Sequence, residues 1–265
     1  MGRIIGIVSG KGGVGKTTLA INLGAALVKN FNKNVTVIDC NLTTSHVGLY
    51  LGIYYSPLTL NKVLRGDTTI EEAIYEHFTG MKVIPASLSL ADLEGIDIIS
   101  LGEKIREISD RNDIIFLDSA PGLGREAMGT LKACEEVIFI TTPFVPSVMD
   151  VIRCQEVVNE IGIKPIGIVL NQVSKEKYEM TAKEIEQLTR LPVIASIPYD
   201  KNVKKSLAAK LPVVIYRPNS KASKEFIKLA AFLVGERYER KSIFSRILRI
   251  IKIGKKEEIL FPQPL

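Results

Sequence analysis

The sequence predicts an α/β chain: a doubly wound, mostly parallel sheet with helices on both faces. Three observations carry this. Short aliphatic runs alternate with helix-period segments from end to end. The first run, Ile4–Val8, leads through a glycine-rich loop straight into a helix. Hydrophobic residues make up 46% of 265, enough to bury a core on both faces of a sheet.

The loop Gly10-Lys-Gly-Gly-Val-Gly-Lys-Thr-Thr18 fits the pattern G-x-x-x-x-G-K-[ST], with Gly10, Gly15, Lys16 and Thr17 at the fixed places. Glycines let successive backbone N–H groups turn inward around a phosphate. The helix that follows, Thr17 to Lys29, adds the positive end of its dipole. The pattern assigns Lys16 to the β- and γ-phosphates and the Thr17 hydroxyl to Mg²⁺. Gly10, Lys11, Gly12, Gly13, Val14, Gly15, Lys16, Thr17 and Thr18 are therefore the candidate phosphate site of a P-loop nucleotide-binding domain.

The remaining elements follow in order. Val35–Asp39 is a strand whose carboxyl end delivers Asp39, Cys40 and Asn41 to the edge where such sheets bind ligands. Thr43 to Leu51 reads as a mobile loop entering a short helix. Leu58–Arg65 and Ile70–Glu76 read as small helices, Met81–Pro85 as a strand, and Ile99–Ser109 as an amphipathic helix. Asp113-Ile-Ile-Phe-Leu-Asp118 is a hydrophobic strand ending in an acid, which places Asp118 at the Mg²⁺ site. Ser119-Ala-Pro-Gly122 follows as a loop able to swing an N–H toward a γ-phosphate. Val137–Thr142 is a strand, and Pro143 opens a helix through Ile161. Lys164–Asn171 and Val193–Pro198 are the last strands. A helix from Val203 closes over the base, and Ser220–Gly235 packs on the sheet.

Lys11 makes this loop unusual. The string Lys11-Gly-Gly-Val-Gly-Lys16-Thr17-Thr18 resembles the deviant Walker A of the MinD/ParA ATPases, and the resemblance runs from about Arg3 to Gly235. It implies an ATP-dependent homodimer in which Lys11 reaches the partner's nucleotide. Other roles carry over by matching position. Asp39 and Asn41 join Lys11 and Lys16 as candidate catalytic residues, and Asp39 joins Thr17 and Asp118 at the metal. Pro121 and Gly122 form a switch, and Asn171, Pro198 and Asp200 hold the adenine. Asp150 reads as a dimer-interface acid or simply an acid near a helix N-terminus.

Two positions depart from the family. Relatives commonly carry Asp-x-Asp where this chain has Asp39-Cys40-Asn41. Asparagine can hold a water by its carbonyl oxygen but cannot accept a proton, so the expected ATP hydrolysis is slow or partner-dependent. Phe144 stands where many relatives have Glu.

Composition excludes several classes. The widely spaced Cys40, Cys134 and Cys154 make no zinc or disulfide framework, and only His46 and His77 could offer imidazole. No cluster cysteines flank Asp118, which excludes an electron-transfer iron protein. The strand and loop begin directly after Met-Gly-Arg, and a cleaved leader would destroy the site, so an intracellular protein is expected.

Seven basic residues and no acid lie between Arg240 and Lys256; removing them from the net +6 leaves −1 on everything else. That near-neutral sum argues against a DNA-binding body. Ile243, Phe244, Ile247, Leu248 and Ile251 share one helical arc, with Arg246 and Arg249 on the other. The stretch is too short to span a bilayer but suits its interface. The expected organisation is an ATPase domain over 1–237 and a membrane-targeting tail over 238–265, in a cytoplasmic protein peripherally bound to the inner face of the cell membrane. The expected activity is a MinD-like spatial switch with an activator or cargo. Two alternatives stand beside it: a catalytically weak scaffold whose tail binds protein, and a ParA-like DNA-partitioning ATPase.

Overall fold

A computed structural model describes residues 2–236. The expected tail, with its candidate membrane residues, lies outside them. Eight strands form one sheet: β1 (Arg3–Val8), β2 (Val35–Cys40), β3 (Tyr75–Glu76), β4 (Lys82–Ile84), β5 (Ile114–Ser119), β6 (Glu136–Thr141), β7 (Lys164–Val173) and β8 (Val193–Pro198). Their order is β3-β4-β2-β5-β1-β6-β7-β8, and every pairing is parallel except β3 with β4. β1 lies between β5 and β6, so the chain winds outward in both directions from it. The crevice of such a sheet opens at that reversal, above the carboxyl end of β1.

Ten helices complete the fold: α1 (Lys16–Phe31), α2 (Val47–Leu51), α3 (Leu60–Arg65), α4 (Leu101–Ser109), α5 (Arg125–Ala133), α6 (Val145–Glu160), α7 (Ala182–Thr189), α8 (Lys201–Ala208), α9 (Val213–Tyr216) and α10 (Lys221–Leu233). They build two cores, one per face. Successive strand residues point to opposite sides, so Ile4 and Val8 join one core while Ile5 and Ile7 join the other. Phe116 packs beneath α1 and α10 with Leu19, Leu23 and Phe226. Ile115 and Leu117 face the opposite core with Ile105 and Leu131.

The order expected from sequence holds, with four differences, one of them the unexpected short helix α9. The segment Ile70–Glu76, read as a helix, is a turn followed by β3. Glu72 accepts from Thr68 and Thr69, and Ile70 is buried, which closes the turn. Tyr75 and Glu76 then pair with Val83 and Lys82, and inter-strand hydrogen bonds replace helical ones. Helix α5 was not foreseen, because the loop after Asp118 looked irregular through its glycines. Helix α7 was missed although Thr181 and Glu184 form a reciprocal capping box, a signal legible in the sequence.

Candidate functional site

The phosphate loop joins β1 to α1, and two long-range contacts hold its shape. Gly15 caps α1 at φ 104°, a conformation open to glycine. A Cβ there would come within 2.4 Å of the Asn171 amide nitrogen. Asn171, at the end of β7, donates to the Val14 carbonyl at 2.7 Å, and Gln172 donates to the Gly13 carbonyl at 3.1 Å. Gly10 is required by packing: a Cβ on it would lie 2.5 Å from the Asp150 Cβ on α6. None of residues 12–17 donates its backbone N–H elsewhere in the described chain. Those donors are what a phosphate needs.

Lys16 is buried and donates to Ser9 Oγ at 2.9 Å, which in turn donates to the Lys11 carbonyl. Burial lowers the Lys16 pKa against the pull of Asp118 nearby. Lys11 is exposed, and no hydrogen bond or ion pair in the described residues engages its ammonium. Thr17 donates to Asp118 Oδ2 at 2.6 Å. The other oxygen, Asp118 Oδ1, is buried with no hydrogen-bond partner. Burial, then Asp39 in register on the adjacent strand, push the Asp118 carboxyl up to about 8; Thr17 and Lys16 pull the other way. A carboxylate with a free buried oxygen beside a threonine hydroxyl is a fitting donor set for a hard dication, which would reverse that shift. Thr17 and Asp118 are thus the candidate residues for Mg²⁺. Among the described residues no group of three or more His, Cys, Asp or Glu side chains offers another metal centre.

Asp39, expected at the metal, sits on β2 in register with Asp118. It is wholly buried, and four donors occupy it: Ser45 Oγ, His46 N and Val47 N on Oδ2, and Asn41 N on Oδ1. Burial raises its pKa and those bonds lower it. Asp39 therefore positions the loop 41–47 at the start of α2. In that loop the Asn41 amide donates to the Thr44 carbonyl at 2.8 Å while Thr44 Oγ1 donates back at 3.0 Å. Thr43 is gripped by the Glu126 carboxylate of α5 through its hydroxyl and its N–H. Gly122 donates to the Ser9 carbonyl at 2.9 Å, so the loop after β5 is tied to the phosphate loop.

A cleft of about 490 Å³ brings the expected residues together. Gly12, Gly13, Gly15, Lys16, Thr17 and Thr18 line one end, with Asn41 and Pro121 beside them. Pro198 and Asp200 line the other, while Asn171 lines the cleft against the phosphate loop. Gly10, Lys11, Val14 and Gly122 lie outside its lining, as do the metal candidates Asp39 and Asp118. Asp200 caps α8 and also accepts from Ala222 N at the start of α10. Burial would raise its pKa, but the Asn202 and Ala222 N–H groups hold it below the ordinary value. Sequence reasoning set the helix from Val203 over the base but missed Phe226 and Tyr50, which complete the apolar wall at this end. Tyr199, Val203, Leu207 and Phe226 line it, and Tyr50 and His46 of the α2 region face them. Their signal was weak, because they come from four separate elements.

A cleft with a phosphate loop at one end, an acid–threonine pair beside it and an apolar wall at the other defines a Mg²⁺-dependent P-loop nucleotide-binding protein. A family model described as the CobQ/CobB/MinD/ParA nucleotide binding domain matches residues 5–213. The chain belongs to that family. It is 36% identical over 239 residues to an uncharacterized ATP-binding protein of Methanocaldococcus jannaschii, covering 90% of each chain. It superposes on the cell division ATPase MinD of Pyrococcus furiosus with a TM-score of 0.85 at 33% identity, covering 89% of this chain and 99% of that one. The septum site-determining protein MinD of Pyrococcus horikoshii, complexed with Mg-ADP, gives 0.84 at 32% identity, covering 88% and 96%. ATP and Mg²⁺ are the ligands this site serves, and its class is that of the MinD/ParA-type ATPases.

Proposed function

We propose that the protein is an ATP-dependent dimerising ATPase that acts as a membrane-associated spatial switch. In this reading ATP closes a dimer, the dimer holds an anionic membrane through the tail, and hydrolysis releases it. The carrying observation is Lys11, exposed on the phosphate loop with its ammonium unengaged. A second copy facing the cleft would offer it a phosphate. The similarity to proteins named for cell division supports a positioning role. Among the described residues no helix is long and apolar enough to cross a membrane. Peripheral attachment at the inner face of the cell membrane therefore rests on residues 243–251. Two tails on one dimer bind far better than one, through effective concentration.

Within the site, the chain's own groups do the following. The loop N–H groups and Lys16 hold the phosphates. Thr17 and Asp118 hold the ion, which supplies charge neutralisation on the phosphates. Asn41, held by Thr44, orients a water through its carbonyl oxygen without taking its proton.

Asn41 also favours the alternative of a nucleotide-binding scaffold with little turnover. One experiment separates the readings. The full chain and a chain truncated after Glu239 are sedimented with anionic vesicles in ATP, ADP or no nucleotide. ATP-dependent pelleting, lost on truncation and weakened by Lys11→Ala, supports the switch. Pelleting indifferent to nucleotide keeps the anchor and removes the switch. No pelleting moves the tail to a protein partner.

A further inference from the structure

The near-neutral sum of the body conceals a segregation. Residues 1–199 carry 19 basic and 23 acidic side chains, while residues 200–236 carry eight basic and three acidic. The structure places six of those eight basic residues on α8 and α10, whose N-termini meet at Asp200. Lys201 and Lys205 are exposed on the outside of α8; Val203, Leu207 and Lys204, whose ammonium lies 5.7 Å from the Tyr199 ring centre, line the nucleotide cleft behind them. On α10, Lys221, Lys224, Lys228 and Phe232 share an outer stripe at helical spacing, and Phe232 is 55% exposed. The acids do not balance this. Asp200 is occupied by Asn202 and Ala222, Glu225 pairs with Lys228, and Glu236 lies past the helix end.

We infer that the α8–α10 face is itself an anionic-lipid-binding surface that lays the ATPase body against the membrane. The inference rests on the reading that the tail engages lipid, and extends it from the tail to the folded body. Charge complementarity supplies the attraction, and the acidic remainder of the body orients the contact. Continuity selects a bilayer over a nucleic acid. The lysine stripe of α10 ends in an exposed phenylalanine and leads in sequence to the basic and apolar residues 240–256. An aromatic ring on that stripe finds a partner in the headgroup layer, and none in a phosphate track. The inner faces of both helices line the base end of the cleft, so the membrane contact is built on the nucleotide site itself.

The test uses the full chain with ATP and vesicles of phosphatidylglycerol and phosphatidylcholine. Lys201, Lys205 and Lys221 are changed together to Gln, with the tail intact. A control changes Lys132, Lys177 and Lys183 to Gln. The expected result is at least a tenfold loss of vesicle affinity for the first variant, from about fivefold per surface lysine. The control stays within about twofold, and both bind nucleotide as the parent does. Equal vesicle binding by the first variant and the parent would overturn the surface while leaving the tail reading standing. Failure of the parent to bind vesicles would remove both. Lysine-dependent binding of duplex DNA, with vesicle binding unchanged, would assign the face to nucleic acid instead.

Discussion

Thr17 and Asp118 meet across 101 residues of chain, the hydroxyl donating to Asp118 Oδ2 at 2.6 Å. The contact joins the first turn of α1 to the end of β5, the two elements that flank the carboxyl end of β1. It leaves Asp118 Oδ1 buried with no hydrogen-bond partner, an oxygen that a bound cation would satisfy.

Asp118→Asn is therefore expected to lower Mg-nucleotide affinity roughly 10–100-fold, the range for groups that orient or support a bound metal. Nucleotide binding in EDTA falls far less. The metal-free variant melts close to the parent, because the metal-free Asp118 side chain, with its pKa raised to about 8, is already largely uncharged at neutral pH. Titration with a fluorescent ATP analogue, with and without Mg²⁺, and a thermal melt read both effects. Equal losses in Mg²⁺ and EDTA would contradict the assignment.

Asn41→Asp is expected to raise single-turnover ATP hydrolysis at least about tenfold, since a positioned base contributes on the order of 10²–10⁴. Thr44 Oγ1 still donates to the new carboxylate, while the bond from the Asn41 amide to the Thr44 carbonyl is lost. Phosphate release on rapid mixing is the measurement. Equal rates for variant and parent would show that Asn41 does not limit turnover.

The salt bridge at the base of the sheet carries a pH signature. Arg3 Nε donates to Glu136 Oε2 at 2.7 Å and its Nη1 donates to the Leu233 carbonyl, tying β1, β6 and the end of α10 together. Burial works to raise the Glu136 pKa, but the Arg3 hydrogen bond and charge, with Lys164 behind them, hold it below the ordinary value. A lowered carboxyl pKa gives stability present above the unfolded value of 4.5 and lost as pH falls through the folded one. Glu136→Gln should cost about 1 kcal/mol at pH 7, because the pair is partly exposed. That cost should shrink below the unfolded pKa. Urea melts at neutral and acid pH test it; a cost independent of pH would make the pair a packing contact.

Gly10→Ala should destabilise by roughly 1–3 kcal/mol, the usual cost of overpacking. The added methyl meets the Cβ and backbone of Asp150 on α6. Chemical denaturation with and without Mg-ATP separates the fold effect from the ligand effect. A variant as stable as the parent would mean that α6 gives way.

Much of the site was legible because its parts are local. Gly10–Thr18 is contiguous, and the strands ending in Asp39 and Asp118 announce themselves as aliphatic runs. The segment at Ile70–Glu76 was misread because a hairpin strand of two residues has no period to detect. Helix α5 was lost behind the glycines after Asp118, yet it carries the Glu126 that grips Thr43.

By itself the sequence determined the chemistry of the loop, the sheet's winding and the substitution at Asn41, since each depends on neighbours in the chain. Only the tertiary structure decided how residues far apart share their hydrogen bonds and charges. Asp39 holds the loop 41–47 because four donors converge on it. Asn171 holds the phosphate loop through Val14 from the end of a distant strand. The starts of α8 and α10, 20 residues apart in the chain, are joined because Asp200 accepts from both. Such arrangements depend on which groups are buried together, and burial is a property of the folded chain.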